Sequence, residues 1–193
     1  MNWLAHLLLS KPDPAFRIGN LLPDILPVAS LAGLSGAFRA GAECHRSIDV
    51  FTDTHPLVRQ SIRRIGPEYR RFGGILVDVF YDHFLACDWQ KYSQIPLPDF
   101  VSSVHASFDQ YSDAIPPLAV ERLRQIRAGN WLSSYGELSG IQSATDRIGA
   151  RLRRPLPLSG AVADLERQYE AFHEDFSTFF PELTQFVNRG ANA

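Results

Sequence analysis

Residues 74–89 read GILVDVFYDHFLACDW, an apolar segment with acidic residues and a histidine inside it. Apolar residues recur here at intervals of three and four, the spacing that brings side chains to one face of an α-helix. On such a helix Ile75, Asp78, Asp82 and Leu85 share one side, which we expect to face the protein interior. Burying an ionised carboxylate costs on the order of several kcal/mol unless a partner, a proton or a metal ion compensates. The segment therefore predicts a helix with polar groups of functional interest on its inward side.

The rest of the chain has the same helical periodicity, with no convincing strand-like alternation. Prolines and glycines separate the predicted helices, and Pro56 suits a first helical turn because that position needs no N–H donor. The predicted helices span residues 2–10, 14–22, 35–53, 56–65, 67–89, 98–112, 117–128, 140–153, 159–179 and 181–188. The sequence thus predicts an all-α fold, a compact helical bundle.

Composition limits the classes of protein to which the chain can belong. With 193 residues, 45% hydrophobic and 21% charged, it can fill the core of a single domain spanning residues 1–193. The 19 basic and 21 acidic residues nearly balance, which gives no support for nucleic-acid binding. The apolar start MNWLAHLLLS has no basic residue and is too short to span a bilayer, and no other run approaches about 20 apolar residues. We therefore expect a soluble, cytoplasmic protein with no membrane insertion.

Two more segments place histidine and acidic residues on predicted inward faces. His45 and Asp49 lie four residues apart and share a helix face, which Asp53 extends by one more turn. In the first predicted helix the interior polar residues are Asn2 and His6, which are also four apart. Together with residues 74–89, three separate helices carry such groups on their inward faces.

These side chains have the chemistry of a metal site, and Asp24 adds a carboxylate in a proline-flanked turn after Gly19-Asn20. Imidazole and carboxylate groups are ligands of zinc, manganese and iron, and helical bundles often build metal sites from one or two such residues per helix. Each group also has a structural alternative: His6 as a hydrogen-bonded core residue, Asp24 as a cap, and Asp82 as the partner of an arginine. The recurrence on three helices favours a metal site.

Almost all of the positive charge comes from arginine. One group crosses the fourth and fifth predicted helices: Arg59, Arg63, Arg64, Arg70 and Arg71. A second group precedes Pro155: Arg147, Arg151, Arg153 and Arg154. The planar guanidinium suits carboxylates and phosphates, so either group could bind an acidic partner or a phosphorylated substrate. A solvated helix face is the alternative for both.

Several motifs resemble those of one known family. They are NWLAHL (residues 2–7), RIGNLLPD (17–24), HRSIDVFTDTHP (45–56) and GILVDVFYDHFL (74–85), with looser matches at WLSSY (131–135), Gly140 and Arg147. These motifs are similar to sequence blocks of the acyl carrier protein phosphodiesterase family. The resemblance covers nearly the whole chain.

The resemblance implies a helical, HD-domain-like fold, distantly related to the HD phosphohydrolases. The implied activity is manganese-dependent hydrolysis of the phosphodiester that joins 4′-phosphopantetheine to a serine of acyl carrier protein, which leaves the apo carrier and belongs to fatty acid biosynthesis in lipid metabolism. The matching motifs give as metal-centre candidates His6, Asp24, His45, Asp78, Asp82 and His83, with Asp49 close behind. Asp49 or Asp82 would orient the attacking water. Acyl carrier protein is acidic, so the candidate docking face consists of Arg59, Arg63, Arg64, Arg70 and Arg71.

The chain departs from the family pattern at one place. After GNLL the family typically has Gly-Asp followed by an aromatic and a basic residue, whereas this chain has PDILP at residues 23–27. The change bears on substrate choice more than on the metal site. Two alternatives therefore stay open: an HD-like phosphohydrolase of nucleotides or small phosphoesters, and a non-catalytic helical binding module whose buried polar groups bond only one another.

Overall fold

The computed structural model describes residues 1–34 and 36–190, and within these residues there is no β-strand. The α-helices of this part of the chain are α1 (Trp3–Leu8), α2 (Pro14–Ile25), α3 (Val28–Leu31), α4 (Gly36–Thr54), α5 (Pro56–Arg64), α6 (Gly73–Cys87), α7 (Trp89–Tyr92), α8 (Leu97–Gln110), α9 (Pro117–Ala128), α10 (Trp131–Ser134), α11 (Leu138–Ala150), α12 (Val162–Arg167) and α13 (Tyr169–Gly190). The all-α prediction is confirmed. None of these helices is both long enough and apolar enough to cross a membrane.

Most helix boundaries lie within a few residues of the predicted ones. α5 begins at Pro56 as expected, whereas α6 begins at Gly73 because a 3₁₀ turn, Arg70–Phe72, precedes it. The short helix α10 was not predicted, and the predicted helix start at Ser35 lies outside the described residues. Most of the differences between predicted and observed helix ends therefore occur where the geometry of a turn sets the boundary.

Two prolines that were predicted to interrupt helices lie inside them. α2 continues through Pro23 to its end at Ile25, and α13 runs across Pro181, where two helices were expected. Phe180 and Leu183, on the two sides of Pro181, are both buried. Burial of this continuous apolar face outweighs the backbone hydrogen bond that the proline cannot make.

Helices α2 and α4 cross at very short distance because glycines face each other there. A Cβ atom on Gly19 would lie 2.3 Å from the carbonyl oxygen of Phe38, and one on Gly41 would lie 2.1 Å from the carbonyl oxygen of Phe16. No larger residue fits either position without a shift of the backbone. The close approach brings Asn20 of α2 within hydrogen-bonding distance of α4.

Helix α6 packs against α1, α5, α11 and α13 and forms the centre of the molecule. The residues from Val79 to Ala86 are all buried, including Asp82. The start of the helix is different: Ile75 is 41% exposed and the Asp78 side chain is 24% exposed. The predicted inward face therefore holds for the later turns of α6, whereas its first turn borders solvent.

Candidate metal centre

Three of the predicted residues converge where α1, α2 and α4 meet. His6, His45 and Asp49 each offer one ligand atom, and these atoms lie within 4.8 Å of one another. Nε2 of His6 is 3.2 Å from Oδ1 of Asp49, and Nε2 of His45 is 3.0 Å from Oδ2 of the same carboxylate. The two imidazole rings stack with their centroids 4.0 Å apart. Each oxygen of Asp49 therefore faces one imidazole nitrogen.

Asn20 sets the orientation of both imidazoles. Nδ1 of His6 is 3.0 Å from Oδ1 of Asn20, and Nδ1 of His45 is 2.6 Å from the backbone carbonyl oxygen of Asn20. Both oxygens can only accept, so both Nδ1 atoms donate, and a neutral imidazole then carries its lone pair on Nε2. The Asn20 amide is fixed in turn, because its Nδ2 donates to the His6 carbonyl and to Oγ of Ser10. Both histidines thus direct a lone pair into the cluster, as hydrogen-bonded metal ligands do.

The Nε2 atoms face oxygen atoms that have no proton to share. Beside Asp49, the carbonyl oxygen of Met1 lies 3.0 Å from Nε2 of His6, and Oδ1 of Asp24 lies 3.6 Å from Nε2 of His45. A lone pair and a carboxylate oxygen brought together in this way need a proton or a metal cation between them. Two imidazoles with hard carboxylate oxygens are a donor set that zinc, manganese and iron accept. The residues present therefore fit a divalent metal ion.

Asp24 borders the cluster from the last turn of α2. Its Oδ2 accepts a hydrogen bond of 2.9 Å from Nε1 of Trp3, which leaves Oδ1 on the side of His45. The departure from the family pattern at residues 23–27 therefore leaves Asp24 in position, because α2 continues through Pro23 as a helix.

Asp78 borders the cluster from α6, and the amino group of Met1 lies between it and Asp49. The amino nitrogen is 3.1 Å from Oδ1 of Asp78 and 3.4 Å from Oδ1 of Asp49. Burial opposes the charge on this amino group, but the two carboxylates outweigh it and raise its pKa to about 10. Burial also raises the pKa of Asp78 to about 6, against the opposing effect of the ammonium group.

The cluster combines one carboxylate with two histidines whose pKa values are shifted in opposite directions. Burial would raise the pKa of Asp49, but the neighbouring imidazoles of His45 and His6 outweigh it and hold the pKa well below its usual range. Burial lowers the pKa of His6. Burial acts in the same direction on His45, but Asp49 and Asp24 outweigh it and raise its pKa. At neutral pH the cluster thus offers an ionised carboxylate and, at His6, a neutral imidazole.

A cavity of about 230 Å³ opens beside the cluster. Asp24 and Asp78 line one part of it, and Arg147 and Arg151 at the end of α11 line another. Trp3 and Trp131 also line it, with their rings stacked at a centroid distance of 5.7 Å. The cavity therefore joins two candidate metal ligands to two guanidinium groups, an arrangement that suits an anionic group of a substrate.

Known proteins resemble this chain over its whole length. The family model described as Acyl carrier protein phosphodiesterase matches residues 1–183. The chain belongs to this family. Proteins named acyl carrier protein phosphodiesterase include one from Serratia proteamaculans (strain 568), 33% identical over 186 residues and 96% of each chain. Another, from Salmonella agona (strain SL483), is 33% identical over 192 residues, 99% of this chain and 100% of the relative. No solved structure matches the chain.

Membership of this family, which the motifs predicted, is therefore confirmed. Two of the metal-centre candidates that the motifs indicate nevertheless lie outside the cluster. Asp82 is fully buried in α6, and its two oxygens accept hydrogen bonds of 2.7 and 3.0 Å from the backbone N–H groups of Leu4 and Ala5. Burial raises the pKa of Asp82 to about 7, although these two bonds oppose the shift. Asp82 thus holds the first turn of α1, the helix that carries His6, and its oxygens are occupied by the backbone.

His83 also lies outside the cluster, on a neighbouring face of α6. Its Nδ1 is 2.8 Å from the carbonyl oxygen of Tyr135, and its Nε2 is 2.9 Å from the hydroxyl of Tyr169. Burial lowers the pKa of His83. Both ring nitrogens therefore have partners that tie α6 to residues near α10 and α13, which accounts for a histidine at this position without a metal ion.

The first arginine group divides into internal and exposed members. Nε of Arg64 pairs with the buried Asp175 at 3.1 Å, and Nε of Arg70 donates to the carbonyl oxygen of Ile65 at 3.2 Å. Arg70 is exposed but bonds to backbone carbonyls, whereas the exposed members with neither an ion pair nor a hydrogen bond to the backbone among the described residues are Arg59, Arg63 and Arg71. The guanidinium groups of Arg64 and Arg70 are thus engaged within the fold, and those of Arg59, Arg63 and Arg71 are available to a partner.

The role of Asn20 was not predicted from the sequence. Its signal is an amide within the apolar run RIGNLLP, because a buried amide must find hydrogen-bond partners. The cavity wall of Trp3 and Trp131 was also missed, since these residues are far apart in the sequence and nothing local connects them.

Proposed function

We propose that the chain is a metal-dependent phosphodiesterase that removes 4′-phosphopantetheine from holo acyl carrier protein to give the apo carrier. The observation that supports this most is the pair of Nε2 lone pairs on His6 and His45, directed at the Asp49 carboxylate beside an arginine-lined cavity. The names of the relatives, acyl carrier protein phosphodiesterase, supply the substrate. A cytoplasmic place in fatty acid biosynthesis and the relation to HD phosphohydrolases stay predictions.

We assign the metal ion to His6, His45, Asp49 and Asp24, with Asp78 next to them. A divalent cation, which we propose to be Mn²⁺, supplies Lewis-acid chemistry when bound: it lowers the pKa of water and offsets charge on phosphoryl oxygens. Imidazole nitrogens with hard carboxylate oxygens are compatible with Mn²⁺.

We assign the carboxylates to different roles according to their positions. Asp49 faces both imidazoles, so we place it with the metal ligands instead of assigning it to the attacking water. Asp82 is closed off by its two backbone hydrogen bonds, so we give it a positioning role for α1. Asp78 lines the cavity and is the carboxylate best placed to orient the attacking water.

The activity is tested by incubating the protein with holo acyl carrier protein and Mn²⁺ and following the carrier by mass spectrometry. We expect the carrier to lose its phosphopantetheine arm. His45→Ala and Asp49→Asn should reduce turnover by about 10³-fold or more and lower the bound metal measured by elemental analysis, because each removes a ligand.

A matched control is available on the same helix. Glu43 is an exposed acidic residue of α4, two residues before His45, so Glu43→Gln removes a charge without touching the cluster. We expect this variant to keep its metal and its turnover. A metal-free protein with full activity would contradict the proposal, and hydrolysis of nucleotides or small phosphoesters without any change in the carrier would favour the alternative phosphohydrolase. A protein without metal or turnover would be the binding module.

A further inference from the structure

Two cavities lie along the line where the start of α6 packs on α11. The first is the cavity beside the metal centre, which is lined by Ile75 and Arg151 among others. The second, of about 430 Å³, is lined by Arg71, Phe72, Leu152, Arg153 and Arg154. Arg71 precedes Ile75 by four residues, and Leu152 directly follows Arg151, so the same two segments line both cavities. We call this line the arginine seam: Arg71, Arg147, Arg151, Arg153 and Arg154.

The guanidinium groups of the seam have no carboxylate partner among the described residues. Arg147 lies over the ring of Trp131 at 4.2 Å from its centroid, and Arg71 lies over Phe72 at 5.4 Å. Some arginines outside the seam do pair with acids, as Arg127 does with Asp109 and Arg64 with Asp175. The chain as a whole has a formal charge of −2, so this basic seam is a local concentration of charge. Like charges held together repel one another, and a bound anion relieves that repulsion.

Arg147 and Arg151 are suited to bind the phosphodiester. Both line the cavity that also holds Asp24 and Asp78, so an anion between them lies next to the candidate metal ligands. The stack on Trp131 fixes the plane of the Arg147 guanidinium, which leaves its N–H groups free to contact two oxygens of one phosphate. Burial lowers the pKa of both arginines, an effect that an anionic ligand would offset.

The chemistry of the proposed substrate places the carrier itself at the seam. The phosphodiester to be cleaved is attached directly to a serine of the carrier, so the carrier surface must come to the mouth of the cavity. The second cavity, with its three arginines, is lined by the same two chain segments as the first. An acidic carrier therefore meets complementary charge beside the site of reaction.

We propose that the arginine seam is the face on which the carrier binds: Arg147 and Arg151 hold the phosphodiester, while Arg71, Arg153 and Arg154 contact acidic residues of the carrier next to its serine. This proposal rests on the proposed function. It moves the docking face predicted from the sequence to the second arginine group, because it retains Arg71 and leaves out the other four members of the first group.

The carrier contact is tested with the double variant Arg153→Glu/Arg154→Glu. We expect the KM for holo acyl carrier protein to rise by about tenfold or more, with kcat within about threefold of the wild type, because the lost contacts guide binding and do not touch the reacting atoms. Raising the salt concentration should increase the KM of the wild type and have much less effect on that of the variant.

The control is a double variant that reverses the charge of two arginines outside the seam, so that the total change in charge is the same. Arg124 and Arg189 are exposed, belong to α9 and α13, and have no ion pair among the described residues. Arg124→Glu/Arg189→Glu should change the KM by less than about twofold. An unchanged KM in the Arg153/Arg154 variant would overturn the proposal. A larger effect from Arg59→Glu/Arg63→Glu would overturn it too, because the docking face would then lie on α5.

The phosphate contact is tested with Arg147→Met and Arg147→Lys on two substrates, the carrier and bis(4-nitrophenyl) phosphate. Arg147→Met should lower kcat/KM for both substrates by about 100-fold with unchanged metal content, and Arg147→Lys should recover part of the loss. The Arg153/Arg154 variant should instead impair the carrier far more than the small diester.

The outcomes separate this proposal from the proposed function. If the wild type cleaves the small diester but not the carrier, the proposed function is contradicted. If the wild type cleaves the carrier and the seam variants have the same KM as the wild type, only the proposed role of the seam is contradicted. Equal loss of kcat/KM for Arg147→Met and Arg147→Lys, with lowered metal content, would make Arg147 a structural residue and overturn its role.

Discussion

Asn20 holds both imidazoles of the metal centre through two different oxygens. Its side-chain Oδ1 accepts from His6, and its backbone carbonyl accepts from His45. A substitution of Asn20 removes Oδ1 but leaves the backbone carbonyl. The His6 imidazole then loses its acceptor, whereas the His45 imidazole keeps its own. The contribution of ligand orientation can thus be measured without removing any proposed ligand.

We predict that Asn20→Ala weakens Mn²⁺ binding by about 10–100-fold, the usual effect of losing a group that orients a metal ligand. His6 loses the acceptor that fixes its tautomer, while the ring remains in place. Calorimetric titration with Mn²⁺ measures the change. Ser10→Ala is the matched control, since it removes hydrogen bonds to the Asn20 amide and to the His6 backbone carbonyl but leaves the acceptor of the His6 ring in place, and its effect should be smaller. An Asn20→Ala protein with wild-type affinity would contradict the assignment.

The sequence placed some members of the His6–His45–Asp49 cluster on one helix face and missed what surrounds others, and the difference between residues shows why. The spacing of His45 and Asp49 along one helix places them on one face, which the structure confirms. The same spacing argument gives Asp78 and Asp82 the same role, although the structure gives them different ones. Backbone N–H groups of another helix occupy the oxygens of Asp82, and spacing along α6 cannot reveal this. Helix periodicity gives the face of a side chain but not its partner.

Among the elements, the crossing of α2 and α4 determines how far Asn20 lies from α4. Gly19 and Gly41 each face a backbone carbonyl of the opposite helix. The distance between these helices is thus set by two missing side chains, one on each helix. The metal centre depends on the crossing because His45 belongs to α4 and its acceptor to α2.

We predict that Gly41→Ala destabilises the protein by at least about 2 kcal/mol, because its Cβ would lie 2.1 Å from a carbonyl oxygen and the helices must separate. Separation also moves Asn20 away from His45 and lowers Mn²⁺ affinity. Gly74→Ala in α6 is the control: nothing lies within 4 Å of its Cβ, so it should stabilise the helix by about 0.5–1 kcal/mol. Urea unfolding measures both, and a neutral Gly41→Ala would contradict the prediction.

The helices themselves were largely predictable, since their apolar periodicity is local. The errors lie where tertiary packing outweighs a local signal. Pro181 ends a helix in isolation, but the buried Phe180 and Leu183 keep α13 continuous. The 3₁₀ turn Arg70–Phe72 likewise replaces the predicted first turns of the α6 segment. Such choices depend on neighbours distant in sequence.

In the molecule as a whole, one cluster of buried apolar residues extends from Met1 to Leu183. This continuity supports the single domain predicted from the chain length, which stays a prediction. The metal centre joins α1, α2 and α4, three elements of this core. A bound cation should therefore stabilise the whole fold and not only its own surroundings.

We predict one cooperative thermal transition whose midpoint depends on the metal ion. At a free Mn²⁺ concentration about 100 times the Kd, stability rises by about 2.7 kcal/mol, which corresponds to a Tm increase of about 5–10 °C for a chain of this size. Excess EDTA should abolish the increase, and Asp49→Asn should show none. Calorimetry measures the midpoint. Two separate transitions would contradict the single domain, and a metal-independent Tm would contradict the coupling.

The stacked indoles at the cavity have one further consequence. Trp3 and Trp131 are two of the three tryptophans of the chain, and Trp3 donates its N–H to Asp24. Indole fluorescence is sensitive to nearby charge and to hydrogen bonding, so cation binding at Asp24 should alter the emission without any added dye. Light emitted by the protein itself can thus report, in real time, when the centre fills and when it empties.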